Sequence, residues 1–133
     1  MIRRKSVNDV TEAELSVLKA LWENGPSTIR ELTDRLYPGG DAAHYATVQK
    51  LLERLRSKSC VGRRAKGRGH LYAARVERDA LIARRLRNTA NQLCEGSLTP
   101  LLTQLVRGGS LTEDELADLR DLVERAGRDA EGS

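Results

Sequence analysis

A Thr followed three residues later by Glu occurs three times, each time just ahead of an apolar stripe: Thr11-Glu-Ala-Glu14, Thr28-Ile-Arg-Glu31 and Thr112-Glu-Asp-Glu115. In such a capping box the Thr hydroxyl and the Glu carboxylate satisfy backbone N–H groups that a first helical turn would leave without partners. Each box therefore predicts a helix start. After the first, Leu15, Leu18 and Trp22 follow the i, i+3, i+7 spacing, and Asn24-Gly25-Pro26 ends the run. After the second, Ile29, Leu32 and Leu36 keep the same spacing up to Pro38-Gly39-Gly40. A third helix starts near Ala43 without a Thr box, its one-sided stripe formed by Val48, Leu51, Leu52 and Leu55.

The periodicity then changes. Val61 to Ala74 reads as two short segments around Gly67-Arg-Gly69, which predicts a β-hairpin even though Gly and Lys are poor strand formers. Helix resumes from Glu77 with Ile82, Leu86 and Leu93 on one stripe and stops at Glu95-Gly96. Leu98, Leu101, Leu102 and Leu105 mark a fifth helix closed by Gly108-Gly109, and the third Thr box opens a sixth with Leu116, Leu119 and Val123 on one face. The tail from Gly127 to Ser133 lacks an apolar face and is expected to fray. Three short helices followed by a hairpin is the order of a winged helix-turn-helix domain. The predicted fold is mainly α, with a winged-helix domain over residues 1–75 and a C-terminal helical dimerisation domain over 76–133.

Charge divides the chain at the same place. Residues 1–75 hold 15 basic and 8 acidic side chains, net +7, whereas 76–133 hold 8 basic and 11 acidic, net −3. A basic first half points to a polyanionic partner. From Arg54 to Arg75 there are eight basic residues (Arg54, Arg56, Lys58, Arg63, Arg64, Lys66, Arg68 and Arg75) and no acidic one. The four at the hairpin turn suit phosphates or a narrow minor groove.

The third helix can lie in a major groove. Turning its apolar stripe inward leaves Ala46, Lys50, Glu53 and Ser57 outward, with Thr47, Gln49 and Arg54 flanking. Ala46, Thr47, Gln49 and Lys50 are the candidate readers of base edges: Gln suits adenine, Lys guanine, and the Ala or Thr methyl thymine. Tyr45 either reaches the DNA backbone or wedges between helices. The candidate duplex-binding set is thus Tyr45, Ala46, Thr47, Gln49, Lys50, Arg54, Arg63, Arg64, Lys66 and Arg68. Glu53 is expected to pair along its helix, His44 and His70 to lie on the surface or pack on the wing, and Trp22 to be core.

The acidic half carries more leucine than its own packing needs. An isologous dimer burying Ile82, Leu86, Leu93, Leu98, Leu101, Leu102, Leu105, Leu116, Leu119 and Val123 is the expected use, the competing reading being that these helices fold back on the winged domain. A two-fold dimer places two recognition helices about one DNA turn apart, which predicts a palindromic operator.

Several classes are disfavoured. Four aromatic residues and no Phe make a stacking platform for single strands a poor fit. No apolar run approaches the ~20 residues of a membrane span, and Met1-Ile-Arg-Arg-Lys5 does not lead into the apolar core of a signal peptide, so a soluble chain with an uncleaved start is expected. Cys60 and Cys94 stand apart with no metal-ligand spacing and fit inert thiols in a reducing cytoplasm. No nucleotide loop, metal cluster or nucleophile–base pair is present, so no enzyme and no cofactor are expected. The competing binding function is a winged helix that docks a protein partner.

With those positions identified, the sequence resembles the penicillinase-repressor (BlaI/MecI) family of winged-helix transcription repressors. The resemblance rests on Thr11-Glu-Ala-Glu-Leu15, Leu21-Trp22 and Gly25-Pro26, on Tyr45-Ala-Thr-Val-Gln-Lys-Leu-Leu-Glu-Arg-Leu55, on Gly67-Arg-Gly-His-Leu-Tyr72, and on Gly96-Ser-Leu98 with Leu111-Thr-Glu-Asp-Glu-Leu116. It spans Thr11 to Ala126. It implies a homodimer on a dyad operator that blocks transcription, with Tyr45 to Arg54 as the recognition helix. In relatives of this kind a membrane-embedded sensor protease responds to a β-lactam, and the repressor is cleaved in its dimerisation segment. The equivalent bond here is Gln104–Leu105, where those relatives carry Asn-Phe. Copper-responsive members carry a C-terminal cysteine hook; no cysteine follows Cys94, which disfavours a metal switch and leaves a different inducing signal as the alternative.

Overall fold

The computed structural model describes residues 10–132. The basic stretch Met1-Ile-Arg-Arg-Lys5 lies outside the described residues. The elements run α1 (Glu12–Asn24), α2 (Ile29–Leu36), α3 (Ala42–Ser57), β1 (Val61–Lys66), β2 (Gly69–Ala74), α4 (Arg78–Leu93), α5 (Thr99–Arg107) and α6 (Glu113–Glu131). This is the mainly helical, winged helix-turn-helix order expected from the capping and periodicity.

The boxes at α2 and α6 close in both directions. The Thr28 hydroxyl accepts from Glu31 N–H at 3.1 Å while the Glu31 carboxylate accepts from Thr28 N–H at 3.0 Å, and Thr112 and Glu115 repeat the pattern at 3.1 and 3.0 Å. At α1 the Thr11 hydroxyl caps Glu14 N–H at 3.2 Å, but the Glu14 carboxylate turns inward to Lys58. Glu14 therefore sits on the buried face, and with Val17, Leu18 and Leu21 it forms an i, i+3, i+4, i+7 row. That row, not Leu15-Leu18-Trp22, faces the core; the apolar stripe was obscured because one of its members is charged. Leu15 and Trp22 are half-buried beside it, and the Trp22 indole N–H donates to the Val76 carbonyl at 2.9 Å.

The first core joins Val17, Leu18 and Leu21 of α1, Leu32 of α2, Val48, Leu51, Leu52 and Leu55 of α3, and Cys60, Val61 and Tyr72 from the hairpin and its approach. β1 and β2 are antiparallel, in register from Val61 opposite Ala74 to Lys66 opposite Gly69, around a two-residue turn in which Gly67 has φ 61°. A positive φ there is why glycine stands at the tip. On the other edge of β2, Ser27 exchanges two backbone hydrogen bonds with Tyr72, at 2.9 and 2.8 Å. The segment before α2 is thus a third, one-residue strand that ties the hairpin to the helix-turn-helix.

The chain divides into two compact units between Arg85 and Leu86, inside α4. The first turns of α4 belong with the winged unit: Leu81 is buried in its core, and the Arg85 guanidinium donates to the Val10 carbonyl at 2.7 Å. In the second unit Ala90 alone among the described residues is fully withdrawn from solvent, while Leu98, Leu101 and Leu119 are half-buried. α4 ends where expected, at Glu95 and Gly96 with φ 51° and 89°. The tail does not fray at Gly127: α6 continues to Glu131. Three acidic residues in its first turn and Arg128 in its last oppose the helix dipole correctly, so the last turns hold without an apolar face.

Candidate nucleic-acid interface

α3 is held at its start by Asp41, whose carboxylate accepts from Ala43 N–H at 3.0 Å and His44 N–H at 3.2 Å. The His44 backbone N–H foremost holds the Asp41 carboxyl below its ordinary range. His44 Nδ1 in turn accepts from Asp41 N–H at 3.2 Å, and its ring stacks on Tyr37 with centroids 4.5 Å apart. His44 is therefore a capping residue. Val48, Leu51, Leu52 and Leu55 point inward, as the stripe requires, which leaves Tyr45, Ala46, Thr47, Gln49, Lys50, Glu53 and Arg54 exposed on the opposite side. The Thr47 hydroxyl bonds back to the Ala43 carbonyl at 3.0 Å, so its methyl is the part free to face outward. Glu53, expected to pair along the helix, has no ion-pair partner within 4.0 Å among the described residues.

A groove of about 490 Å3 runs between α3, the start of α2 and the inner side of the hairpin. Tyr45 and Gln49 form its α3 wall, and Arg63, Lys66, Arg68 and His70 its hairpin wall. Thr28, Ile29 and Arg30 close it at the start of α2, and the Arg30 guanidinium lies 5.7 Å over the Tyr45 ring. Tyr45 is 36% exposed on this groove and is not wedged between helices. Arg30 and His70 were not in the sequence-derived set. Arg30 is one cation on a polar helix face and His70 a lone histidine; only the third dimension brings them to the same groove.

The pairing register sorts the hairpin cations. Arg63 stands opposite Tyr72 and Arg64 opposite Leu71, so the two arginines emerge on opposite faces of the ribbon. Arg64 lines a second hollow, which it shares with Arg63, Gly62, Leu71 and Arg75 and where a Cβ on Gly62 would collide with the Arg75 guanidinium. The structure also removes one member from the run of eight. Lys58 is buried, its Nζ 2.8 and 2.7 Å from the two Glu14 carboxylate oxygens, with side chains only 5% and 1% exposed. The other seven are exposed. Lys66 also adds to the effects that hold the Glu31 carboxyl below its ordinary range, the first being the hydrogen bond from Thr28 N–H. No group of three or more acidic, His or Cys side chains among the described residues could hold a metal ion.

An apolar stripe folded inward, an outer α3 face that carries Gln49, Lys50 and Arg54, with Glu53 as its one acidic member, and a basic ribbon beside it fit the arrangement of a duplex-binding winged helix. The family model described as penicillinase repressor matches residues 10–125. The chain belongs to the penicillinase repressor family. It is accordingly a DNA-binding transcriptional repressor and not an enzyme. The chain is 22% identical over 120 residues to the penicillinase repressor of Bacillus licheniformis, covering 90% of this chain and 93% of that one. It is 20% identical over 117 residues to the methicillin resistance regulatory protein MecI of Staphylococcus aureus, covering 88% and 94%. Two solved structures of MarR from E. coli are also similar at 26% identity: the oxidized form, covering 89% of this chain and 76% of that one at TM-score 0.46, and a mutant complexed with operator DNA, covering 92% and 81% at TM-score 0.45. Scores at that level leave the winged-helix assignment of this repressor to its own elements and register.

Proposed function

We propose that this repressor binds a palindromic operator as a homodimer, with residues 1–75 reading the duplex and 76–133 pairing the protomers. The observation that carries the reading is the groove in which Tyr45 and Gln49 of α3 face Arg63, Lys66 and Arg68 of the wing. Ala46, Thr47, Gln49 and Lys50 read base edges, Tyr45, Arg54, Arg63, Lys66 and Arg68 position the duplex through phosphates, and Arg64, on the other face of the ribbon, meets phosphates outside the groove. Pairing is supported by Leu86, Leu93, Leu102, Leu105, Val106, Leu116, Leu122 and Val123, all exposed on a unit with almost no interior of its own. Ile82 is exposed as well, at the root of α4. The protein acts in the cytoplasm, where Cys60 and Cys94 stay reduced; no helix among the described residues is long and apolar enough to cross a membrane.

The test is duplex binding by anisotropy on selected genomic fragments. Lys50→Ala should cost ~1–3 kcal/mol at the specific site and relax base preference, while Arg68→Ala should weaken all duplexes alike. With about four phosphates neutralised per protomer, log affinity should fall with log salt at a slope of roughly −7. Equal losses on specific and random duplex for both variants would refute the division of roles.

For release, we propose cleavage at Gln104–Leu105 by a membrane sensor protease answering a cell-wall antibiotic. Both residues lie in the last turns of α5, with the Gln104 carbonyl accepting Gly108 N–H at 2.9 Å and Leu105 44% exposed, so the turn must open first. A fragment ending at Gln104 should appear by mass spectrometry as the operator is vacated; a full-length chain leaving the operator refutes it.

A further inference from the structure

The one tryptophan of the chain stands on the wall of a small cavity that shares no lining residue with the duplex groove. Leu15 and Trp22 of α1 and Leu81 and Ile82 of α4 form the apolar floor of a hollow of about 200 Å3 that opens to solvent. The indole N–H is already engaged by the Val76 carbonyl, so Trp22 offers this space only its apolar ring. Ile82 remains 48% exposed beside it. Among the described residues the other lining side chains are Lys19, Arg78 and Arg85, all cationic, and none is acidic.

Each guanidinium keeps donors to spare. Arg78 lies 5.3 Å over the Trp22 ring, and Arg85 uses one N–H on the Val10 carbonyl, out of five that each carries. Lys19 is exposed at the rim. An apolar floor under three like charges offers little to a cation or to a neutral polar molecule. It fits an anion whose apolar part fills the floor while its charged end meets the rim.

We propose that this cavity binds a small organic carboxylate, a single ring or short chain bearing one carboxylate group. An apolar cavity of about 150 Å3 accepts benzene, so this volume holds one ring and its carboxylate and little more.

Because Trp22 is the only tryptophan, its fluorescence reads the site in the full chain directly. Titration with benzoate should give a saturable change with a Kd on the order of 0.1–1 mM. Benzamide, the same shape without the charge, should bind at least about tenfold more weakly. Lys19→Glu should weaken benzoate by about tenfold or more and Lys19→Arg should restore it, with unchanged thermal unfolding for both because the position is exposed. Three results would overturn the proposal: a linear response common to benzoate and benzamide, undiminished benzoate binding in Lys19→Glu, or a Trp22 signal that shifts on protein dilution and ignores benzoate. The last would mean that a second copy fills the cavity.

Discussion

Lys58→Met separates the buried cation from the exposed ones of the same run. In the folded chain the Lys58 ammonium meets both oxygens of Glu14 at 2.7 and 2.8 Å, and neither side chain is more than 5% exposed. Two helices distant in sequence are joined at this point, since Glu14 lies in the first turn of α1 and Lys58 is the residue that caps α3. Removing the cation leaves the carboxylate inside the protein, with the Thr11 hydroxyl donating to it at 3.2 Å. Breaking a buried pair in this way costs about 3–5 kcal/mol. For a unit of this size each kcal/mol lowers the unfolding midpoint by about 4–8 °C, so the loss should be no less than about 12 °C. The double variant Glu14→Leu with Lys58→Met should recover most of that loss, because replacing both charges by apolar groups removes their desolvation cost. Urea and thermal unfolding of the wild type, both single variants and the double variant would measure the coupling. At a temperature where Lys58→Met is folded, its salt slope on duplex DNA should match the wild type, because a buried ammonium releases no counterions. A loss under about 1 kcal/mol for Lys58→Met, or a double variant as unstable as the sum of the singles, would refute the assignment.

Ser59, the next residue, has φ 62°, and relieving that left-handed strain with Ser59→Gly should raise stability by about 1 kcal/mol in the same unfolding assay. Glu31 and Asp41 are held below their ordinary range in the folded chain, so their contribution is present at neutral pH and is lost as pH falls through the folded values. Glu31→Gln should therefore flatten the acid limb of a urea-midpoint profile; an unchanged limb would exclude the capping carboxylate as its source. Leu102 is 51% exposed, and Leu102→Glu should shift sedimentation toward monomer and weaken operator binding while leaving the winged unit's melting unchanged.

Much of the architecture was legible in local chemistry. Capping boxes, Gly-Pro stops and the Val48-Leu51-Leu52-Leu55 stripe locate α2, α3 and the hairpin, because these signals act within one or two turns of chain. The inward row of α1 is hidden in the sequence for the complementary reason: it includes Glu14, and a carboxylate on a buried face makes sense only once its partner 44 residues away is known. The same distance hid the Ser27–Tyr72 pairing that docks the wing.

The outer face of α3, the basic character of the hairpin and the surplus leucines of the second half follow from residue order alone, since helical and strand periods are properties of the local backbone. Which cations reach the groove does not. The pairing register puts Arg63 and Arg64 on opposite faces, packing draws Lys58 inside, and the α2–α3 crossing brings Arg30 over Tyr45. Charge can be counted along a chain, but its direction and its hydration are decided by contacts between segments far apart in sequence.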